Sequence, residues 1–340
     1  MRVMEIRDEW GLENLKPRQR PDPTPEVGEV VVRIEAASVN YRDFVMAGRG
    51  YGRRSGELPL VPVSDGAGTV VATGPGVTRV AVGDLVCPIF AQTWIEGPLH
   101  EDHWMGMLGG PRDGVLQEYM GLPEDGLVKM PAHLDAVHAA ALPCAAVAAW
   151  NAVVVAGRVK AGDTVLTQGT GGVSLFALQF AKALGARVII TSSSNDKLAR
   201  AKQLGADETI NYSEIPDWGR RARDIAGKDG VDLIVDLAGL VNQSVRTVRA
   251  SGTVVLIGVL AGGSTNFDLG PAVTREIRLQ GITVGSRAIF EAMLKAMALH
   301  RLVPTIEIAP QRFDKADEVI RALTNRSHFG KICMLSWPKF

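Results

Sequence analysis

From about residue 161 onward, short apolar runs alternate strictly with stretches whose apolar residues recur at helical spacing. Residues 164–168, 187–191, 208–211, 232–236, 253–258 and 279–285 read as strands. Residues 172–184, 196–204, 216–226 and 242–248 read as the helices between most of them. Near-continuous apolar strands with short helical crossovers predict a parallel sheet covered on both faces, a doubly wound α/β domain.

The first third has a different rhythm. Residues 29–36 and 68–74 are β-branched runs bounded by Gly and Pro, and residues 82–88 form a turn leading into another short strand. A long loop bearing Trp, His and Gly is expected over residues 92–121, above a cleft. At the other end, residues 289–300 and 315–323 are amphipathic helices and 331–335 a last strand, a tail expected to pack back on the first domain. The apolar stretch 139–156 is rich in Ala, holds Pro143 and Asn151, and falls short of the roughly 20 strongly apolar residues a membrane span needs. It predicts a buried helix between domains. The expected division is 1–125 with 290–340, and 126–289.

Charge and cysteine content narrow the class. The 340 residues carry 37 basic and 37 acidic side chains, so neither nucleic acid nor an anionic membrane is the expected partner. Cys87, Cys144 and Cys333 are odd in number and far apart, which argues against a disulfide framework and for a reducing, cytoplasmic setting. No apolar core follows a basic start, so no secretory leader is expected.

The chemistry begins at Gly169, Thr170, Gly171, Gly172 and Val173. This glycine turn follows a predicted strand and opens a predicted helix, the context in which such a motif binds a dinucleotide. Gly169 makes the turn and Gly171 lets the backbone approach a pyrophosphate held on the helix N-terminus. Ser174 stands where a third glycine is usual, which predicts slightly looser packing of helix on strand. NAD enzymes place an acid about 20 residues on, to bind both ribose hydroxyls. Here that position falls on Ser192, Ser193 and Ser194, with Lys197 nearby. Hydroxyls and a cation suit a 2′-phosphate, so the expected cofactor is NADPH. Gly258 and Val259 after the fifth strand, and Val284 and Ser286 after the sixth, lie where open α/β sheets bind ligands, and are expected at the nicotinamide.

With these residues in place, the chain resembles the medium-chain dehydrogenase/reductase superfamily, and within it the zinc-free quinone oxidoreductase branch. The resemblance spans nearly the whole chain. It rests on Val39-Asn40-Tyr41-Arg42-Asp43, Pro62 to Gly68, Gly83-Asp84, Leu142-Pro143, the glycine turn, Leu204 to Asp207 with Asn211-Tyr212, and Gly330-Lys331. It implies a Rossmann domain beside a β-rich GroES-like catalytic domain. It also implies that Lys197, Tyr212 and Arg326 grip the 2′-phosphate, and that the protein is a homodimer joined through the sheet edge at 282–286.

Zinc-dependent members hold catalytic zinc with Cys, His and Cys. This chain has Asn40, Ser64 and Cys144 at those positions, and Asp65 where those relatives carry Glu. One thiol with an amide and a hydroxyl is a poor zinc set, so no metal is expected. The cysteines of the structural zinc lobe are missing too, and His100 and His103 read as a solvated loop. Without a Lewis acid the accessible acceptors are quinones and α,β-unsaturated carbonyls, in which conjugation spreads the developing charge onto oxygen. Asn40 is the expected polar group facing the nicotinamide. Tyr51 matches a tyrosine of quinone oxidoreductases and is the second catalytic candidate. Asp43 is expected to brace the motif, and Ser64 and Trp94 to line the pocket. Arg49, Arg53 and Arg54 cluster beside Tyr51 and raise the question of an anionic substrate. Two rival readings are an alcohol or aldehyde dehydrogenase working without catalytic zinc, and an NADPH-binding structural or regulatory protein with little turnover.

Overall fold

The structure is a computed structural model that describes residues 1–227 and 229–338. The chain divides into two compact units, Met1–Val147 with Gly285–Phe340, and Ala148–Val284. The junctions suggested by the sequence, at 125/126 and 289/290, are therefore displaced. The reason is pairing the periodicity did not register. Strand Leu127–Lys129 pairs with Leu85–Pro88, helix Ala136–Ala140 packs on strands of the first unit, and so does helix Arg287–His300.

In the first unit the sheet is organised by one long strand, Glu29–Val39. It pairs antiparallel with Asp65–Thr73, Tyr119–Pro123 and Lys331–Leu335. Registers put Ser38 opposite Asp65 on one side and opposite Cys333 on the other. The residues just past the paired ends, Asn40, Ser64 and Lys331, consequently gather at one corner of the sheet. Close strand approach needs a glycine at Gly68, where a Cβ would lie 2.0 Å from the carbonyl oxygen of Arg33. The apolar face buries Val30, Val32, Ile34, Val70, Val86 and Leu127 with Phe313 and Ile320 of the C-terminal segment. That segment thus returns to the first domain as its amphipathic pattern predicts.

The second unit is a six-stranded sheet, every pair of it parallel. Across the sheet run Glu208–Asn211, Arg187–Ser192, Thr164–Gln168, Val231–Asp236, Val248–Leu256 and Arg278–Gly281, the doubly wound order 3-2-1-4-5-6. Leu166, Val188, Ile189, Ile234 and Val254 are fully buried, which is why these strands carry no polar alternation. The helix Leu269–Thr274 carries no apolar stripe that would predict it, since Leu269 and Val273 stay exposed and only Ala272 packs against the core. The fifth strand starts earlier than expected and the sixth ends at Gly281 rather than at residue 285.

The apolar stretch 139–156 is helical almost throughout, with α-helix at Ala136–Ala140 and Val147–Trp150 and wider π-type turns at Leu142–Ala146 and Asn151–Ala156. Among the described residues no helix is long and apolar enough to cross a membrane.

Candidate active site

In the second unit the glycine turn closes the strand Thr164–Gln168 and opens the helix Gly172–Ala183. Gly169 has φ +80°, a conformation that disfavours any side chain. Gly171 has no atom within 4 Å of where a Cβ would stand, so the space beside its backbone is open. Thr170 is buried. The first-turn amides, those of Gly172 and Val173 among them, have no acceptor within the helix and carry its positive dipole end. This cradle fits a pyrophosphate. Ser174 corrects the expectation of loose packing. It is buried, and its Oγ donates to the carbonyl of Gln168 at 2.6 Å, pinning the helix start to the strand end. Below the turn a buried network of Gln168, Ser244 and Asp236 holds the adjoining strand ends together, with Ser244 Oγ donating to Asp236 Oδ2 at 2.7 Å.

The strands Arg187–Ser192 and Glu208–Asn211 end side by side, Ser192 opposite Asn211, and the Tyr212 amide donates to the Ser192 carbonyl at 3.1 Å. Ser192, Ser193, Ser194, Lys197 and Tyr212 therefore occupy one edge of the unit. Their roles differ. Ser192 is buried and its Oγ accepts from the Ser194 amide, while Ser194 Oγ caps the next helix at the Lys197 amide. Ser193 and the Tyr212 ring are the exposed members. One acid on this edge escaped the sequence reading. Glu214 accepts from Asn195 at 2.6 Å and from Asn211 at 3.0 Å. Only a fold that pairs the second and third strands brings it there, so spacing from the glycines could not reveal it.

At the far side of the sheet, the Cα of Gly258 lies against the Leu237 carbonyl, 2.4 Å from where a Cβ would stand, and Val259 is exposed. The Val284 carbonyl accepts from Asn151 Nδ2 at 2.9 Å. Ser286 belongs to the first unit, where its buried Oγ caps the helix Arg287–His300 at the Ile289 amide. Arg326 also belongs to the first unit and takes a left-handed backbone at the end of a short helix. The structure thus unites the serines, Lys197 and Tyr212 within one unit and puts Arg326 and Ser286 in the other.

In the first unit, the sheet corner joins Asn40, Ser64, Asp65, Cys144 and Lys331. Asn40 is the N-cap of helix Tyr41–Ala47, its amide donating to Asp43 Oδ2 at 2.7 Å. Asn40 Nδ2 lies 3.5 Å from Ser64 Oγ, which donates to Asp65 Oδ1 at 2.7 Å. Asp65 Oδ2 accepts the Cys144 amide at 3.1 Å. Lys331 is 4% exposed, and its Nζ donates to the Val39 carbonyl at 2.8 Å and to Asn40 Oδ1 at 2.5 Å, with Asp65 Oδ2 at 3.7 Å. A lysine buried to this degree is unusual without such partners. The residue figures in the family resemblance and opens the last strand, but nothing in its sequence context assigns it a role.

Burial, with a smaller contribution from Asp65, pushes the Cys144 thiol well above its ordinary range, and so keeps it from becoming a thiolate. An amide, a hydroxyl and a single cysteine beside an ammonium do not fit zinc, because neither the amide nor the hydroxyl is among its usual ligands. Among the described residues no group of three His, Cys, Asp or Glu side chains could hold a metal ion. His103 stacks on Trp94 with ring centroids 5.8 Å apart, and its Nδ1 accepts the His100 amide at 2.9 Å.

Asp43 is fully buried, and its carboxyl is pushed up to about 6, chiefly by burial, with Arg42 opposing and Asp65 reinforcing the shift. Arg42 lies 3.5 Å from it, donates to the carbonyls of Leu108 and Gly110, and lies over the Phe90 ring. Tyr51 sits within the electrostatic reach of Arg42, Cys144 and Asp43, and burial raises its phenol above the usual value. Of the neighbouring arginines, Arg49 lies over Trp10 and Arg54 over Trp104.

Known proteins carry the same two parts. Residues 26–132 match the alcohol dehydrogenase GroES-like domain and residues 172–298 match the zinc-binding dehydrogenase family. A zinc-type alcohol dehydrogenase-like protein of Schizosaccharomyces pombe is 37% identical over 95% of this chain and 96% of its own. The structure of an NAD-dependent alcohol dehydrogenase superposes with a TM-score of 0.89 at 33% identity, covering 99% of this chain and 100% of that one. The quinone oxidoreductase of Coxiella burnetii superposes with a TM-score of 0.78 at 25% identity, covering 98% of each chain. The chain belongs to the medium-chain dehydrogenase/reductase superfamily, with the GroES-like and Rossmann-type parts expected of it. It is an oxidoreductase of a family that works with a nicotinamide dinucleotide.

Proposed function

We propose that the protein is an NADPH-dependent reductase of quinones or α,β-unsaturated carbonyl compounds that works without a catalytic metal. The observation that supports this reading is the corner of the first sheet, where the positions of a zinc set hold Asn40, Ser64 and Cys144, linked in a row through Asp65. NADPH, when bound, supplies a hydride from C4 of its nicotinamide. The glycine turn and the helix amides of Gly172 and Val173 hold the pyrophosphate, and Ser193, Lys197 and Tyr212 hold the 2′-phosphate. Asn40 Nδ2 donates to the acceptor's carbonyl oxygen, where negative charge builds as the conjugated system is reduced. Tyr51, a phenol that is protonated at neutral pH, offers a second donor and a proton for that oxygen. The exposed edge strand Arg278–Gly281 supports a homodimer formed along the Rossmann sheet.

The test is NADPH oxidation against a panel of 1,4-quinones, enones, enoyl thioesters and aldehydes. Turnover of quinones or enones well above aldehydes is expected, and turnover confined to simple aldehydes would overturn the reading.

A second reading has its own support. Glu214 places a carboxylate on the ribose edge, and relatives named alcohol dehydrogenases dominate the likeness. An NAD-linked alcohol dehydrogenase without catalytic zinc would oxidise secondary alcohols with NAD⁺ in preference to NADP⁺, which the same assay run in reverse distinguishes.

A further inference from the structure

Lys331 is the one buried cation at the corner of the first sheet that the proposed reaction leaves unused. An ammonium group has donors only. It can therefore face Asn40 through Oδ1 alone, and the 2.5 Å contact fixes which way that amide is turned. The Nδ2 group then points away from the lysine. One of its protons is directed at Ser64 Oγ, at a long 3.5 Å, and the other meets no acceptor among the described residues. Asn40 is itself only partly buried.

We infer that Lys331 is a positioning residue: its ammonium holds the Asn40 amide with its N–H donor presented to the acceptor oxygen, and polarises that amide so that it donates more strongly. Two observations and one general effect support this. The ammonium is itself pinned, by the Val39 carbonyl at 2.8 Å, so it cannot swing away. Its charge is balanced by Asp65 at 3.7 Å, and Asp65 is fully engaged elsewhere by Ser64 and the Cys144 amide. A cation withdrawing electron density at Oδ1 makes the amide protons more positive, an effect that is strong where water is excluded. Gly330 lets the lysine enter at this point, with φ +85° and no room for a Cβ, which would lie 2.2 Å from the Thr305 carbonyl. The inference rests on the reading of Asn40 as the donor to the acceptor oxygen.

The test is a double-mutant cycle on the full chain with Lys331→Met, Asn40→Ala and both together, reading kcat with the best acceptor and the Kd of NADPH. Lys331→Met alone should lower kcat about tenfold or more while the Kd for NADPH stays within about twofold. In the Asn40→Ala background the same substitution should cost less than about twofold, because its route of action is already gone. Losses that multiply would overturn the inference. Lys331→Met leaves Asp65 buried without its counter-charge, so Lys331→Met with Asp65→Asn is made alongside. That pair should regain thermal stability without regaining kcat, and recovery of both would mean a purely structural lysine. A last arm needs no substrate. In protein labelled with ¹⁵N-asparagine, the Asn40 side-chain amide signals, assigned by their loss in Asn40→Ala, should move toward those of solvated amides in Lys331→Met. Unmoved signals would contradict the inference. If the wild-type protein reduces no quinone or enone, the proposed reaction fails while this arm still decides the link between Lys331 and Asn40.

Discussion

Asp43 Oδ2 accepts the backbone N–H of Asn40 at 2.7 Å, so the side chain that braces the site is also the one whose charge is least well accommodated there. Its other oxygen has no hydrogen-bond donor, and the carboxyl titrates at about 6 rather than near 3.8. The folded protein thus binds this proton more tightly than the unfolded chain. Stability from this group is complete below the unfolded value and is lost as pH rises through about 6. A shift of this size corresponds to roughly 2–3 kcal/mol. Asp43→Asn keeps an acceptor for the Asn40 amide and removes the titration. Urea unfolding of wild type and variant from pH 5 to pH 8 should show the variant gaining relative stability as pH rises. A constant difference would contradict the assignment.

Gly171 and Gly169 separate folding from binding. Gly171→Ala adds a Cβ into open space, so Tm should hardly change, while the Kd for NADPH rises tenfold or more because the new methyl stands where the pyrophosphate approaches. Gly169→Ala forces a side chain into φ +80° and should cost about 1 kcal/mol or more of stability as well. Thermal melts and fluorescence titration distinguish the two.

Ser174→Ala removes a buried donor from the Gln168 carbonyl and should destabilise the protein by about 1 kcal/mol, read as a lower urea midpoint with an unchanged m value. A neutral outcome would mean that the helix start is held by packing alone.

Lys197→Ala should raise KM for NADPH tenfold or more and KM for NADH by less than about twofold, since only the former carries a 2′-phosphate. Equal changes would favour the reading in which Glu214 selects NADH. The companion variant Glu214→Gln should then improve NADPH binding.

The doubly wound sheet was readable because its central strands are buried on both faces. Thr164–Gln168 and Glu208–Asn211 begin and end where the apolar runs do. The glycine turn was readable for a related reason, since a left-handed Gly169 and an open Gly171 demand a residue type rather than a pattern. What escaped was produced by pairing between distant segments. Lys331 and Asn40 are 291 residues apart and meet only because two strands flank Glu29–Val39 in a given register. Glu214 reaches the edge that carries Ser193 and Lys197 through the neighbouring strand, and Ser174 finds its acceptor by turning back on Gln168. The domain junction moved for the same reason, because Leu127–Lys129 pairs with Leu85–Pro88 in the first unit's sheet.

The claim that the reaction needs no catalytic metal can be tested most directly by one assay. Purified protein is dialysed against a strong chelator, its zinc content is measured, and NADPH oxidation with an enone is recorded before and after adding one equivalent of zinc. The account predicts the same rate in every state, with Asn40→Ala lowering it about a hundredfold, the usual cost of removing one donor to a developing oxyanion. A rate that vanishes with the chelator and returns with zinc would contradict it.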